Sequence, residues 1–292
     1  MKRIYEYLSI IYVIFITVYA FSNMNLISDI SLKIINIMIN NLIPSLLPFM
    51  ILISLCLQLN IINILNYFLQ RPFYYLFSLT PIMSSIYFIS FFCGYPTNVK
   101  LIKEAYELNY LTHKQLVHLL DITSFSSLSF IFISLNSNYS LIIYLAHIIP
   151  SIIYALFYQD KKQYQSLNQT FNFKKIPFIK AFKNSITSSI TTFIYIFGYM
   201  FLFQITYYFI SNVFKIDSFI IRGLLEFSSG CLSINDSIVY IPYICFFLSF
   251  SSLSIMMQIN SILEDINYSF IRYFIIRCLH GFISFMIAYI LI

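Results

Sequence analysis

Six stretches of largely apolar residues constrain the folding of this chain of 292 residues more than any other feature. They lie at 4–21, 34–59, 115–134, 139–158, 185–211 and 273–292. A helix of about twenty apolar residues crosses the hydrocarbon core of a bilayer. Only 10% of the residues are charged, against about 25% in an ordinary soluble domain. The sequence therefore predicts an all-α, polytopic transmembrane protein with the lipid bilayer as its first partner.

Two further apolar stretches, 73–96 and 238–262, are long enough to span but are interrupted. The first ends in Gly94-Tyr95-Pro96, although the chain has only five glycines. The second contains the serine-rich run 249–254. Irregular backbone at membrane depth is stable only where protein surrounds it or where it lines a cavity. We therefore predict that both stretches are re-entrant hairpins.

The distribution of lysines predicts the orientation. Segment 159–184 carries six lysines and one acidic residue, and Lys2 and Arg3 open the chain. If 73–96 doubles back, four spans separate these two basic regions, and both face the cytoplasm, as the positive-inside rule requires. The expected location is a bacterial cell membrane, with a cytoplasmic N-terminus.

The second half is predicted to repeat the first with inverted topology. Residues 1–158 would form one repeat with an extra N-terminal helix, 159–184 a basic cytoplasmic loop, and 185–292 the second repeat. Short amphipathic connectors at 61–72 and 218–232 would lead into the two hairpins. Inverted repeats are the architecture of many secondary transporters.

The first hairpin supplies the leading candidate site. Thr97 and Asn98 are good N-cap residues for a helix through Lys100. A helix start inside the protein would present free N–H groups and a partial positive charge to a small polar or anionic solute. The alternative is that this segment only forms a turn and that Lys100 only sets topology. The candidate residues here are Gly94, Tyr95, Pro96, Thr97, Asn98 and Lys100.

The second interrupted stretch supplies a matching polar set. Its candidate residues are Ser251, Ser252, Ser254 and Gln258. We predict that they meet the first set near the middle of the membrane around one small polar cavity. Serines in membrane helices also close helix–helix contacts, which is the alternative role.

Three further polar residues are secondary candidates. Asp121 and Ser124 lie in a predicted span, where an acid is expected to be functional or paired. The alternative for Asp121 is an interfacial pair with Lys114 or Lys103. Glu226 lies in a short predicted amphipathic helix that would end at Gly230, one turn from Arg222, with which it can pair. Such a pair would either lie on the surface or lock this helix against the second hairpin.

No motif for nucleotide binding, hydrolysis or metal binding is present, and the cysteines and histidines are scattered. We expect no enzymatic activity, no cofactor, no metal and no nucleic-acid partner. The sequence is compatible with a homo-oligomer.

Four segments resemble, in order, those of the sporulation integral membrane proteins of the YlbJ type, which are related to nucleoside-recognition or gate domains. The segments are Leu46-Leu47-Pro48-Phe49, Gly94-Tyr95-Pro96 with Lys100, Gly223-Leu224-Leu225-Glu226 through Gly230, and Ser249–Ser254 with Gln258. The resemblance implies a role in endospore formation, in the developing spore's membranes and cortex assembly. The leading hypothesis is a transporter-like or gate-like sporulation protein. The alternatives are a membrane scaffold that holds sporulation partners and a general solute transporter.

Overall fold

The computed structural model describes residues 2–59, 61–158 and 176–292, and its regular elements are all helices. In these residues five helices are long and apolar enough to cross a membrane, or six if one bent pair counts as a span. This confirms the predicted all-α, polytopic class. The first helix is α1 (Lys2–Ser22), and α2 (Met24–Ile37) continues through a π-helical turn into α3 (Ile43–Gln58).

The other helices include several that are shorter than a span. They are α4 (Ile62–Phe77), α5 (Pro81–Ser90), α6 (Thr97–Glu107), α7 (His113–Thr123), α8 (Ser140–Phe157), α9 (Phe178–Phe214), α10 (Phe219–Leu225), α11 (Phe227–Leu232), α12 (Ile241–Phe250), α13 (Ser252–Ile262) and α14 (Phe270–Leu291).

Two sets of loop contacts define the ends of the helical bundle. At the Asp265 end, Lys103 Nζ lies 3.5 Å from the Asp265 carboxylate and donates to the Ile262 carbonyl at 2.8 Å. At the Asp236 end, the Asp236 carboxylate accepts hydrogen bonds from the Ser137 hydroxyl and the Asn138 backbone N–H. These bonds hold the pKa of Asp236 below its usual range. Helix α8 therefore begins at the Asp236 end.

Helices α5 and α6 form a hairpin that enters from the Asp265 end. Tyr87 on α5 bonds Ser151 late in α8, and the Phe91 carbonyl accepts from Tyr144 early in α8. Helix α5 thus runs antiparallel to α8, toward the interior, and α6 returns to the Asp265 end. The tip of this first hairpin lies at Gly94, where the sequence predicts the reversal.

Helix α4 bends away from α5 by 92°. It exposes aromatic side chains, with Tyr67 at 74% and Tyr75 at 80% exposure. A helix that crosses the bundle direction at a right angle and exposes aromatic rings has the geometry of an interfacial helix. It occupies the connector that the sequence predicts at 61–72.

The prediction that residues 238–262 form a second re-entrant hairpin is wrong. Helix α12 begins near Asp236. Helix α13 ends at Ile262, whose carbonyl accepts from Lys103 at the Asp265 end. The segment therefore runs from one end to the other, and it is long and apolar enough to span. It is interrupted by two left-handed residues, Ser251 (φ 71°) and Ser252 (φ 44°), after which the helix resumes.

A second hairpin exists, but it is formed by α10 and α11. The Phe219 ring packs on Tyr240 near the Asp236 end, with centroids 5.5 Å apart. The chain reverses at Glu226, and Gly230 returns to lie directly against Gly223, so close that a Cβ on Gly230 would overlap the Gly223 backbone. Only glycines permit this approach. The expected connector at 218–232 is therefore the second hairpin.

The predicted span 115–134 is also broken. Helix α7 ends at Thr123, residues 124–127 are not helical, and helical structure resumes up to Leu135. Thr123 and Ser124 bond their hydroxyls back to the carbonyls of the preceding helical turn, which offers the backbone an alternative to continuing the helix.

The two halves share one order of elements: long helix, hairpin, broken span, closing helix. Helix α3 leaves the Asp236 end, where Ser45 bonds Ser134 at 3.0 Å. Helix α9 runs the opposite way and reaches the second hairpin, where Gln204 bonds Ser229. Because α9 begins at Phe178, part of the expected loop 159–184 is helical, and residues 159–175 of that loop lie outside the described residues.

Candidate functional site at the crossing of the interruptions

The tip of the first hairpin packs against the break after α7. The Tyr95 N–H donates to the Phe125 carbonyl at 2.7 Å, so two interrupted segments share a backbone hydrogen bond. A Cβ on Gly94 would lie 2.6 Å from the Ser127 backbone nitrogen. Real Cβ atoms do not approach backbone so closely, so the contact with Ser127 requires a glycine at position 94.

Thr97 and Asn98 are the first helical residues of α6 and not its N-cap, which corrects the prediction. The residue before the helix is Pro96, which has no side chain that caps. Asn98 is fully buried, and its amide donates to the Thr123 carbonyl at the end of α7. Asn98 thus joins the two interrupted segments a second time.

The start of α6 is less open to an anion than the sequence predicts. The Val99 N–H donates to Asn98 Oδ1 at 2.8 Å, and the Thr97 N–H donates to the Gly94 carbonyl at 3.0 Å. The Lys100 N–H bonds the Pro96 carbonyl. These donors are satisfied within the chain, so the helix dipole remains but most free N–H groups do not.

A narrow cleft runs beside the crossing, between α3, α6 and α9. Its inner part has ≈ 290 Å³ of empty space, including its mouth, and is lined by Gly94, Thr97 and Ser127. Its outer part, ≈ 270 Å³, is lined by Lys100 and Glu104. Lys100 therefore faces the cleft together with an acid one turn away, and is not a bare cation at the helix start.

The second predicted set touches the first without sharing this cleft. Ser251 and Ser252 are fully buried at the break between α12 and α13, and Gln258 donates to Ser254 at 3.3 Å. The link is the Tyr95 hydroxyl, which donates to the Leu248 carbonyl at 3.1 Å. The two sets therefore meet through the buried Tyr95 side chain, and the second set does not line the cleft of the first.

Glu226 caps the start of α11. It does not form the side-chain pair with Arg222 that the sequence predicts. Its carboxylate accepts from the N–H groups of Ser228 and Ser229, at 3.0 and 2.7 Å. Arg222 instead lies 3.7 Å from Asp217. Gly230, expected to end a helix, lies inside α11. The Glu226 N–H bonds the Arg222 carbonyl at 2.8 Å, but the Glu226 carboxylate is used at the start of α11.

Asp121 is buried and pairs with α14. Its carboxylate lies 2.5 Å from the Arg272 guanidinium and accepts from the Tyr154 hydroxyl at 3.4 Å. The expected partners Lys114 and Lys103 do not form this pair. Ser124 bonds the Tyr273 hydroxyl at 2.7 Å, which fixes the break after α7 to the same helix.

Arg277 was not among the predicted site residues. It is 2% exposed and donates to the Ser249 carbonyl at the broken end of α12 and to His280 Nδ1. A cation suits the negative end of a helix, so Arg277 compensates for the break. The sequence does carry a signal for it, because Arg277 and His280 lie inside the apolar run 273–292, where ionisable residues are expected to be functional.

His147 joins both broken spans. Its Nε2 accepts from the Ser126 N–H at 2.8 Å, so the other nitrogen, Nδ1, carries the proton and donates to the Ser249 hydroxyl. The two hairpin tips also meet here, because the Phe227 ring packs edge-on against Tyr95 at 5.5 Å. Both hairpins and both broken spans therefore converge on one point inside the bundle.

Comparison with known proteins finds no matching family model, no similar curated protein and no similar solved structure.

Proposed function

We propose that this chain is a carrier or gate for a small polar or anionic solute in a bacterial membrane. The observation that carries the proposal is the convergence of two oppositely entering hairpins and two broken spans, each held to another by a named polar contact. Interrupted helices inside a membrane bundle are where secondary transporters bind solutes and ions. The cleft along α9 passes Gly94 and ends at Lys100, beside this point, and as it stands it has room for water rather than for a larger solute.

We further propose that the protein serves endospore formation. The support is the resemblance of four ordered segments to the YlbJ-type sporulation proteins. Three of those segments form the first hairpin tip, the second hairpin and the break between α12 and α13. The resembling residues are thus the ones that build the crossing, where a shared mechanism would need them.

Flux in liposomes tests the carrier. The purified full chain is reconstituted, and uptake of labelled phosphate, succinate, glutamate and uridine is measured. We expect saturable uptake of at least one solute, lost in Gly94→Val because the new side chain collides with Ser127. Gly198→Val is the matched control, since a Cβ at Gly198 meets nothing within 4 Å.

Equal uptake with protein-free liposomes for all four solutes would contradict the carrier and favour the scaffold. For the sporulation role, cells that lack the chain are expected to yield fewer heat-resistant spores while growing normally. A defect in vegetative growth with normal spores would instead favour a general solute transporter.

A further inference from the structure

A second, wider cavity lies away from the crossing, between the starts of α7 and α14. We call it the vestibule; it has ≈ 750 Å³ of empty space, including its open mouth. Its polar lining includes His113, Lys114, His118, Tyr158, Tyr268 and Arg272. Among the described residues that line it there is no carboxylate, so its fixed charges are positive.

Arg272 belongs both to the vestibule and to the interior. Its Nη2 lies 2.5 Å from Asp121 Oδ2, while its side chain is 39% exposed and that of Asp121 only 2%. Both of its interior contacts, to Asp121 and to the Tyr154 hydroxyl, use Nη2. A guanidinium has five N–H donors in a planar fork that matches carboxylates and oxyanions. Arg272 can therefore bind an anion in the vestibule.

Asp121 depends on Arg272 for its nearest counter-charge. From α8 it faces Tyr154, and from α14 it also faces the more distant Arg277 and Tyr273. The ionisable groups of the two other helices against α7 contact residues other than Asp121. Tyr87 of α5 bonds Ser151, Lys103 of α6 contacts Asp265 and Glu107, and the Tyr106 ring of α6 packs on His113. Lys100 and Glu104 of α6 line the cleft toward α9.

An anion that draws Arg272 into the vestibule would leave Asp121 as a buried, uncompensated carboxylate. Such a charge is strongly unfavourable, and the group takes up a proton instead. The proton comes from water, forms an O–H bond on the carboxylate, and returns to water when the anion leaves and the ion pair forms again.

We propose that the vestibule binds a small carboxylate or oxyanion on Arg272 and that each anion enters together with one proton, which neutralises Asp121. This inference rests on the proposed carrier function and names its solute class and coupling ion. Asp121 lies on the last turn of α7, directly before the break at Ser124. Loosening of the ion pair between Asp121 and Arg272 therefore affects the break after α7, which is part of the crossing.

Calorimetry on the full chain in zwitterionic nanodiscs tests the proposal. Acetate and sulfate are titrated separately at neutral pH, where both are fully ionised, in buffers of different ionisation enthalpy. We expect an uptake of about one proton per bound anion, as linkage requires. Asp121→Asn should bind at least as tightly but take up no proton, because its side chain is already neutral.

Arg272→Gln should weaken binding by about tenfold or more, the loss expected for a charge-assisted hydrogen bond. Arg71→Gln, an exposed arginine on α4, is the matched control and should bind like the parent. Arg272→Lys keeps the positive charge but lacks the planar guanidinium with its paired N–H donors. This variant tests the site if Arg272→Gln does not fold.

The proposal is overturned if neither anion binds, if Arg272→Gln and Arg272→Lys both bind like the parent, or if Asp121→Asn takes up the same number of protons. If phosphatidylglycerol in the nanodiscs displaces sulfate from the parent, the anion site stands and its occupant is a lipid headgroup phosphate. Binding is measured without flux, so a failure of the carrier function would leave this result intact.

Discussion

At the residue scale, single side chains replace the hydrogen bonds that each interruption removes from a helix. Asn98 donates to a carbonyl at the end of α7, and Arg277 donates to a carbonyl at the end of α12. The Glu226 carboxylate accepts from N–H groups at the start of α11. A buried backbone group without a partner costs about 1–3 kcal/mol, and in a membrane no water can replace the partner. These three side chains therefore make the breaks stable, which explains why polar residues lie so deep in an apolar chain.

Gly94→Ala is expected to destabilise the protein by about 1–3 kcal/mol, the range for overpacking, because the added methyl group meets the Ser127 backbone. Gly198→Ala is the control and should be neutral or stabilise α9 by up to about 1 kcal/mol. Thermal unfolding can be followed with a thiol-reactive fluorophore, since Cys93, Cys231 and Cys245 are buried free thiols. Equal melting temperatures for the two variants would refute the close contact at Gly94.

At the element scale, helices too short to span come in pairs that depend on one another. Helix α10 has seven residues and α11 has six, so neither would be stable alone in water. The contact between Gly223 and Gly230 brings their backbones together, and the Glu226 carboxylate closes the turn. The second hairpin is therefore stabilised by packing and capping and not by helix propensity.

Glu226→Ala is expected to cost about 1–2 kcal/mol, because two N–H groups at the start of α11 lose their acceptor. Glu226→Gln keeps one acceptor oxygen and should cost less. The same thermal assay measures both, with the exposed Glu264→Ala as control. If Glu226→Gln melts like the parent but abolishes solute uptake, Glu226 has a role in transport beyond capping.

At the scale of the whole molecule, the two halves place equivalent elements in opposite directions. The first hairpin enters from the Asp265 end and the second from the Asp236 end. Lysines and arginines are concentrated at the Asp265 end, where Lys103 and Lys114 lie and where α9 starts with Lys180 and Lys183. The positive-inside rule then predicts that this end faces the cytoplasm.

Cysteine accessibility tests this topology on a cysteine-free background. Single cysteines at Glu107 and Asn267 should label only from the cytoplasm, and those at Asn25 and Asn235 only from outside, because each pair lies at a helix end or in a loop at one end of the bundle. A probe at Lys162, outside the described residues, is expected to label with the first pair. Labelling of Glu107 and Asn267 from opposite sides would refute the first hairpin.

The sequence by itself determined the class, the spans near 34–59, 139–158, 185–211 and 273–292, and the first interruption. Apolar runs of about twenty residues have few stable alternatives to membrane helices, and Gly94-Tyr95-Pro96 cannot continue one. It did not determine which polar stretch reverses and which crosses. Serines at 251 and 252 permit either outcome, and only packing against α14 and the contact of Lys103 with Ile262 make the chain continue.

The partners of buried charges were likewise decided by the tertiary structure alone. Asp121 and Arg272 are 151 residues apart, and Arg277 reaches a carbonyl 28 residues away. Local spacing predicts pairs such as Arg222 with Glu226, but a buried charge is satisfied by whichever group the fold brings next to it. In a low-dielectric interior that requirement outweighs proximity along the chain, and this is why the sequence predicts that Asp121 is paired but does not identify Arg272 as its partner.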